Sequence, residues 1–152
     1  MGTTFYTIKE ITTITTEIAE ELTSVWQASV EATHTFLTSE DVKALHPVVR
    51  SALGQVQHLL CANNTAGQAV AFIGVMGDKI EMLFVLPGNM GQGIGKMLLE
   101  YACRHFGARK VDVNEQNPEA LKFYRRMGFK QIGRSPLDEQ GKPFPILHLQ
   151  LV

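Results

Sequence analysis

The sequence predicts an α/β fold on one mixed sheet, with two helices first and a strand–turn–helix in the middle. Three observations lead there. Apolar residues recur at helical spacing from Ile14 to Leu53. Short apolar runs separated by turn residues follow Gly54. A glycine-rich turn then opens directly into an amphipathic helix. At 152 residues the chain has the size of one domain, taken as 1–152.

The elements follow in order. Residues 5–9 (FYTIK) read as an opening strand. Thr12, Thr13 and Thr15 offer N-caps for a helix to about Ala32, with Ile14, Ile18, Leu22, Val25, Trp26 and Ser29 on one face. A second helix follows Ser39, whose acidic neighbours suit a positive helix start, and carries Val42, Leu45, Val49 and Leu53. Pro47 is expected to kink it or begin its second part. Residues 57–62, 68–76 and 79–86 form an antiparallel meander, with turns at Asn63-Asn64 and Gly77-Asp78.

A helix from about Gly93 to Phe106 presents Ile94, Met97, Leu98, Tyr101, Ala102 and His105 on one face, with Cys103 opposite. A strand at 110–114 leads to a helix at about 118–127, with Pro118 in its first turn and Gly128 as its stop. Strands near 129–134 and 146–151 close the chain.

Apolar residues make up 45% and charged ones 19%, enough apolar material for a buried core. The net charge of −1 gives no electrostatic footprint for nucleic acid or a membrane surface, and Arg125-Arg126 read as a solvated helix face. The N-terminus lacks the basic-then-apolar pattern of a secretory leader, and no apolar run nears the roughly 18 residues that span a bilayer. Cys61 and Cys103 have no metal-ligand spacing and read as reduced thiols, so a cytoplasmic protein without a metal is expected.

The stretch with most chemistry in it is Pro87-Gly88-Asn89-Met90-Gly91-Gln92-Gly93-Ile94-Gly95-Lys96. Free backbone N–H groups at a helix start bind anions, and glycines let that backbone approach a phosphate closely. A nucleoside-triphosphate loop is excluded, because Met97 stands where the magnesium-binding hydroxyl belongs. A dinucleotide fingerprint fails too, since Gly91, Gly93 and Gly95 fall at every second position after a meander.

Met90 through Gly95 instead resembles the acetyl-CoA motif [QR]-x-x-G-x-[GA] of the GNAT acetyltransferase superfamily, with Met90 in place of the usual Arg or Gln. Asn117 through Phe129 resembles a second signature of that family, N-x-x-A-x-x-F-Y-x-x-x-G-F. Residues 32–37 and 133–145 are similar to its YjaB-like bacterial subgroup.

The resemblance implies a mostly antiparallel twisted sheet flanked by about four helices, and acetyl-CoA as donor to a primary amine. It assigns the CoA pyrophosphate to the backbone of Met90, Gly91, Gln92, Gly93, Ile94 and Gly95, with Lys96 beside them. Backbone groups of Leu83, Phe84 and Val85 are expected to hold the pantetheine arm and thioester oxygen, and Asn117 the pantetheine. A backbone donor on that oxygen contributes roughly 2.7–4 kcal/mol.

Tyr124 is the candidate acid for the departing sulfur, with Phe123 and Phe129 as core. Glu81, alternating with Leu83 and Val85, is the first candidate base, and His34 the second. Direct transfer in a ternary complex is expected. The rival reading is a CoA-binding module or sensor without catalysis. Residues 29–40 and 135–146, with Trp26, His34 and Phe36, are expected to shape the acceptor pocket. Peptide or protein lysine leads over small-molecule amines. The family implies that a homodimer is among the states to expect; no residue shows one.

Overall fold

The computed structural model describes residues 5–152; residues 1–4, which begin the stretch read for a leader, lie outside the described residues. The chain runs β1 (Thr7–Glu10), α1 (Thr16–Thr33), α2 (Ser39–Leu53), β2 (His58–Asn63), β3 (Ala69–Met76) and β4 (Lys79–Val85). A single 3-10 turn at Pro87–Asn89 leads to α3 (Ile94–Phe106), β5 (Lys110–Asn114), α4 (Pro118–Arg126), β6 (Phe129–Ser135) and β7 (Ile146–Leu151).

Local signals start and stop these elements. Thr15 caps α1, its hydroxyl accepting from the Ile18 N–H at 3.2 Å. Thr38, one residue before the expected start, opens α2 with a reciprocal box: Asp41 N–H to the Thr38 hydroxyl at 3.1 Å, and Thr38 N–H to the Asp41 carboxylate at 2.9 Å. Pro47 lies on the exposed side of α2 and the helix continues through it. The first hairpin turn falls at 64–68 rather than 63–64, because the Asn64 side chain accepts from both Ala66 and Gln68 N–H groups. Gly77 alone supplies the positive φ, at 60°, in the tight turn between β3 and β4.

The seven strands lie in the order β1-β2-β3-β4-β5-β7-β6. Every pairing is antiparallel except β4 with β5. Helices α1 and α2 cover one face, burying Leu22, Trp26 and Leu53 against Phe72 and Met82. Helix α3 covers the other, burying Leu98, Leu99 and Ala102 against Ile73, Val75 and Leu149. β3 is buried throughout except at Met76 and feeds both layers, Ile73 and Val75 one way and Phe72 the other.

Three expectations need correction. His105 is exposed and Leu99 takes the buried place on α3, because the face turns toward the sheet one residue away from the predicted stripe. Cys103 is half-buried against the core rather than opposite it. Trp26 is 3% exposed inside the α1–α2 layer and belongs to the core, not to a pocket wall.

Candidate active site

The site grows from a fault in the sheet. β4 and β5 pair only at Lys79↔Lys110 and Ile80↔Val111, so the rest of β4 has no neighbour on that side. Against β3, the register jumps from Val75↔Ile80 to Gly74↔Met82, leaving Glu81 as the extra residue of a bulge. Ile80 therefore packs on the α3 side and Met82 on the α1 side, although they are two residues apart.

That bulge overturns the expected alternation. Leu83 and Val85 turn to the α3 side, while Glu81 stays beside Lys79 and Asp112 on the opposite face. A cleft of about 680 Å³ opens where the strands part. His34, Glu81, Leu83, Phe84, Val85, Met90, Gly91, Gly93, Ile94, Gly95, Lys96, Asn117 and Tyr124 all line it. Gln92 does not, because its side chain turns away to accept from the Tyr6 hydroxyl.

One end of the cleft is the glycine turn. Gly91 and Gly93 hold φ of 78° and 80°, the left-handed region that a side chain disfavours. Among the described residues, the six backbone N–H groups of Gly91 through Lys96 donate to no protein acceptor. These are consecutive donors at the positive end of α3, so the chemistry suits a pyrophosphate. Ile94 is 2% exposed and serves there only through its backbone. Met90 is 39% exposed and brings no charge, while Lys96 sits 3.9 Å from Glu100.

Further in, Asn117 caps α4, its carbonyl oxygen accepting from the Ala120 N–H at 3.3 Å. Its amide lies 3.3 Å from His34 Nε2, and His34 Nδ1 lies 2.8 Å from the Thr33 hydroxyl. The Thr33 hydroxyl donates to the Ser29 carbonyl at 2.8 Å. Read consistently, Asn117 donates to Nε2 and Nδ1–H donates to Thr33, which leaves a neutral ring. Burial lowers the His34 pKa and favours the same state.

Tyr124 is 6% exposed, its ring edge-on to Phe123 at 5.0 Å and Phe129 at 5.4 Å. Phe123 is only half-buried and lines the cleft, whereas Phe129 is core as expected. Burial, with the Cys103 thiol nearby, pushes the Tyr124 phenol well above its ordinary range, so it stays protonated. Its hydroxyl has no hydrogen-bond partner among the described residues, yet it is not sealed from solvent.

On the α1-side face, sequence spacing gave no sign of a polar row across four strands. Lys79 Nζ lies 2.7 Å from Asp112 Oδ2, His148 Nδ1 2.7 Å from Asp112 Oδ1, and Ser135 Oγ 2.7 Å from His148 Nε2. Partial burial works to raise the Asp112 carboxyl, but hydrogen bonds from Lys79 and His148 prevail and hold it below its usual range. Because Asp112 holds Lys79, Glu81 has no ion-pair partner among the described residues, and burial leads in raising its pKa. The loop between α1 and α2 meets the loop between β6 and β7: Phe36 lies 5.4 Å from His34 and 5.5 Å from Phe144, and Lys142 3.9 Å from Asp41.

No group of three metal-ligating side chains occurs among the described residues, and no helix there is long and apolar enough to cross a membrane.

Residues 55–131 match the acetyltransferase (GNAT) domain model. The chain is 41% identical over 136 residues to the peptidyl-lysine N-acetyltransferase YjaB of Escherichia coli, covering 90% of this chain and 92% of that protein. The solution structure of apo-form YjaB superimposes with a TM-score of 0.86 at 38% identity, over 97% of this chain and 98% of that one. A PaiA N-acetyltransferase from Thermoplasma acidophilum, solved with coenzyme A, shares the fold with a TM-score of 0.71 at 20% identity, over 96% of this chain and 99% of that one. The motifs, the parted strands and these matches agree: the chain belongs to the GNAT acetyltransferase family.

Proposed function

We propose that the protein moves the acetyl group of acetyl-CoA to the ε-amine of a peptide or protein lysine, by direct transfer with both substrates bound. The observation that carries this is the run of free N–H donors at the start of α3, opening on a cleft that Tyr124 lines. The YjaB relatives, named as peptidyl-lysine acetyltransferases, support the choice of acceptor. This reading takes the chain as one domain, 1–152.

Acetyl-CoA supplies the activated acyl group; the chain supplies orientation and proton transfer. The backbone of Gly91 through Gly95 holds the pyrophosphate, with Met90, whose N–H already donates to the Pro87 carbonyl, at its edge. The stretch at Leu83, Phe84 and Val85, open on its β5 side, lies alongside the acyl arm. Lys96 adds positive charge at the mouth. Asn117, fixed by Ala120 and His34, presents its amide to the pantetheine. Tyr124 donates a proton to the departing sulfur.

A lysine amine with a pKa near 10.4 arrives protonated, and Glu81 takes its proton through water. The His34 ring is committed to Asn117 and Thr33, so its role is to position Asn117. Cys103 is no nucleophile, since burial pushes its thiol up.

Calorimetric titration with acetyl-CoA and acetylation of lysine peptides test the reading together. Binding at micromolar ligand with lysine acetylation is expected. Binding without transfer to any amine would favour the sensor reading, and no binding at millimolar ligand would sink both.

Glu81 makes its own prediction. A base acts when ionised, so kcat/KM rises with pH through the Glu81 pKa. That midpoint lies above the ordinary carboxylate value, because partial burial disfavours the charge. In Glu81→Gln this ascending limb disappears, activity at neutral pH falls by about tenfold or more, and the rate climbs only as the amine itself deprotonates. An unaltered pH–rate profile removes Glu81 from the mechanism.

A further inference from the structure

We infer that Tyr6 is a positioning residue that holds the glycine turn in its anion-binding shape. The inference rests on reading that turn as the pyrophosphate cradle. Tyr6 sits just before β1, 86 residues from Gln92. Its hydroxyl donates to the Gln92 side-chain carbonyl and accepts from Asn89 Nδ2 at 3.2 Å. Both hydrogen-bonding roles of the hydroxyl are thus used on one loop.

The two contacts straddle the part of the turn that most needs holding. Gln92 stands between Gly91 and Gly93, whose positive φ marks backbone with wide conformational freedom. Asn89 ends the single 3-10 turn, whose closing hydrogen bond, Met90 N–H to the Pro87 carbonyl, is long at 3.4 Å. The segment is tied at its two ends, by the Asn89 N–H to the Leu86 carbonyl at 2.9 Å and the Met97 N–H to the Gly93 carbonyl at 3.0 Å. Between them, among the described residues, the N–H groups of Gly91 through Lys96 donate to no protein acceptor.

Tyr6, by contrast, is anchored. Its ring packs on the larger apolar cluster, and the strand it leads into is held to β2 from Thr7↔Asn63 to Glu10↔Leu60. The hydroxyl transmits that rigidity to the loop and points the Gln92 side chain away from the cleft, leaving the backbone donors facing in. Ordering the turn in advance removes part of the entropy that a phosphate ligand would otherwise have to overcome.

The test compares two acetyl donors, one with the pyrophosphate and one without. For Tyr6→Phe, the acetyl-CoA dissociation constant rises about five- to tenfold, the scale of a lost hydrogen bond. Turnover at saturating acetyl-CoA is unchanged. KM for S-acetylpantetheine, which lacks the pyrophosphate, is unchanged as well. Asn89→Ala weakens acetyl-CoA similarly, and the double variant is no weaker than the worse single one, because both changes break one latch.

A general loss of structure would move both donors together, so equal weakening of the two overturns the inference. So does acetyl-CoA affinity that neither variant changes. Wild-type protein that binds neither acetyl-CoA nor coenzyme A overturns the cradle itself; intact wild-type binding that the variants leave untouched overturns the latch alone.

Discussion

Tyr124→Phe is expected to lower turnover by about 10²-fold or more while leaving acetyl-CoA affinity within about twofold. The variant keeps the ring that packs on Phe123 and Phe129, and loses only a hydroxyl with no protein partner among the described residues. Folding stability should therefore hardly move, which separates chemistry from structure. Burial raises its pKa, so the hydroxyl is protonated at any working pH and has a proton to give. Without it, the thiolate must leave unprotonated or wait for water. Steady-state kinetics beside calorimetric titration decide the matter, and unchanged turnover would remove Tyr124 from the reaction.

Gly93→Val should weaken acetyl-CoA binding by about 10²-fold. No atom lies within 4 Å of a Cβ built at Gly93, so collision is not the cause. The cause is its φ of 80°, which costs a β-branched residue roughly 1–2 kcal/mol and makes the turn re-form. Re-forming turns N–H donors away from the phosphate, each charge-assisted bond contributing about 1.5–3 kcal/mol. Gly88→Ala is the control: it has neither positive φ nor neighbours within 4 Å, and affinity should stay within about twofold. Titration of both variants reads the difference, and full affinity in Gly93→Val would mean that the turn does not bind the ligand.

How much of this was legible in the sequence depends on the range over which each feature is specified. The helices, the meander and the strand–turn–helix were readable because periodicity, caps and turn residues act within a few positions, as Thr15 and Gly77 do. The glycine turn and the Tyr124 helix were readable as motifs for the same reason. The bulge at Glu81 was not, since nothing in KIEMLFV distinguishes it from an alternating strand, and it put Glu81 on the opposite face from Leu83. The row from Lys79 through Asp112 and His148 to Ser135 crosses strands that only the sheet order brings together. Tyr6 and Gln92 meet across 86 residues for the same reason.

The parting of β4 from β5 has a consequence for solubility. Separating strands inside a sheet creates two new edges, each with a row of unpaired backbone groups, and exposed edges recruit strands from other chains. Here the two edges face each other at the bottom of a cleft, and α1 and α3 pack against β4 from either side. A foreign β-sheet cannot reach them, whereas a slender chain carrying amide groups can. On the proposed function, the parted edges leave strand-like pairing open to the arm of acetyl-CoA, while the flanking helices keep other sheets from those edges.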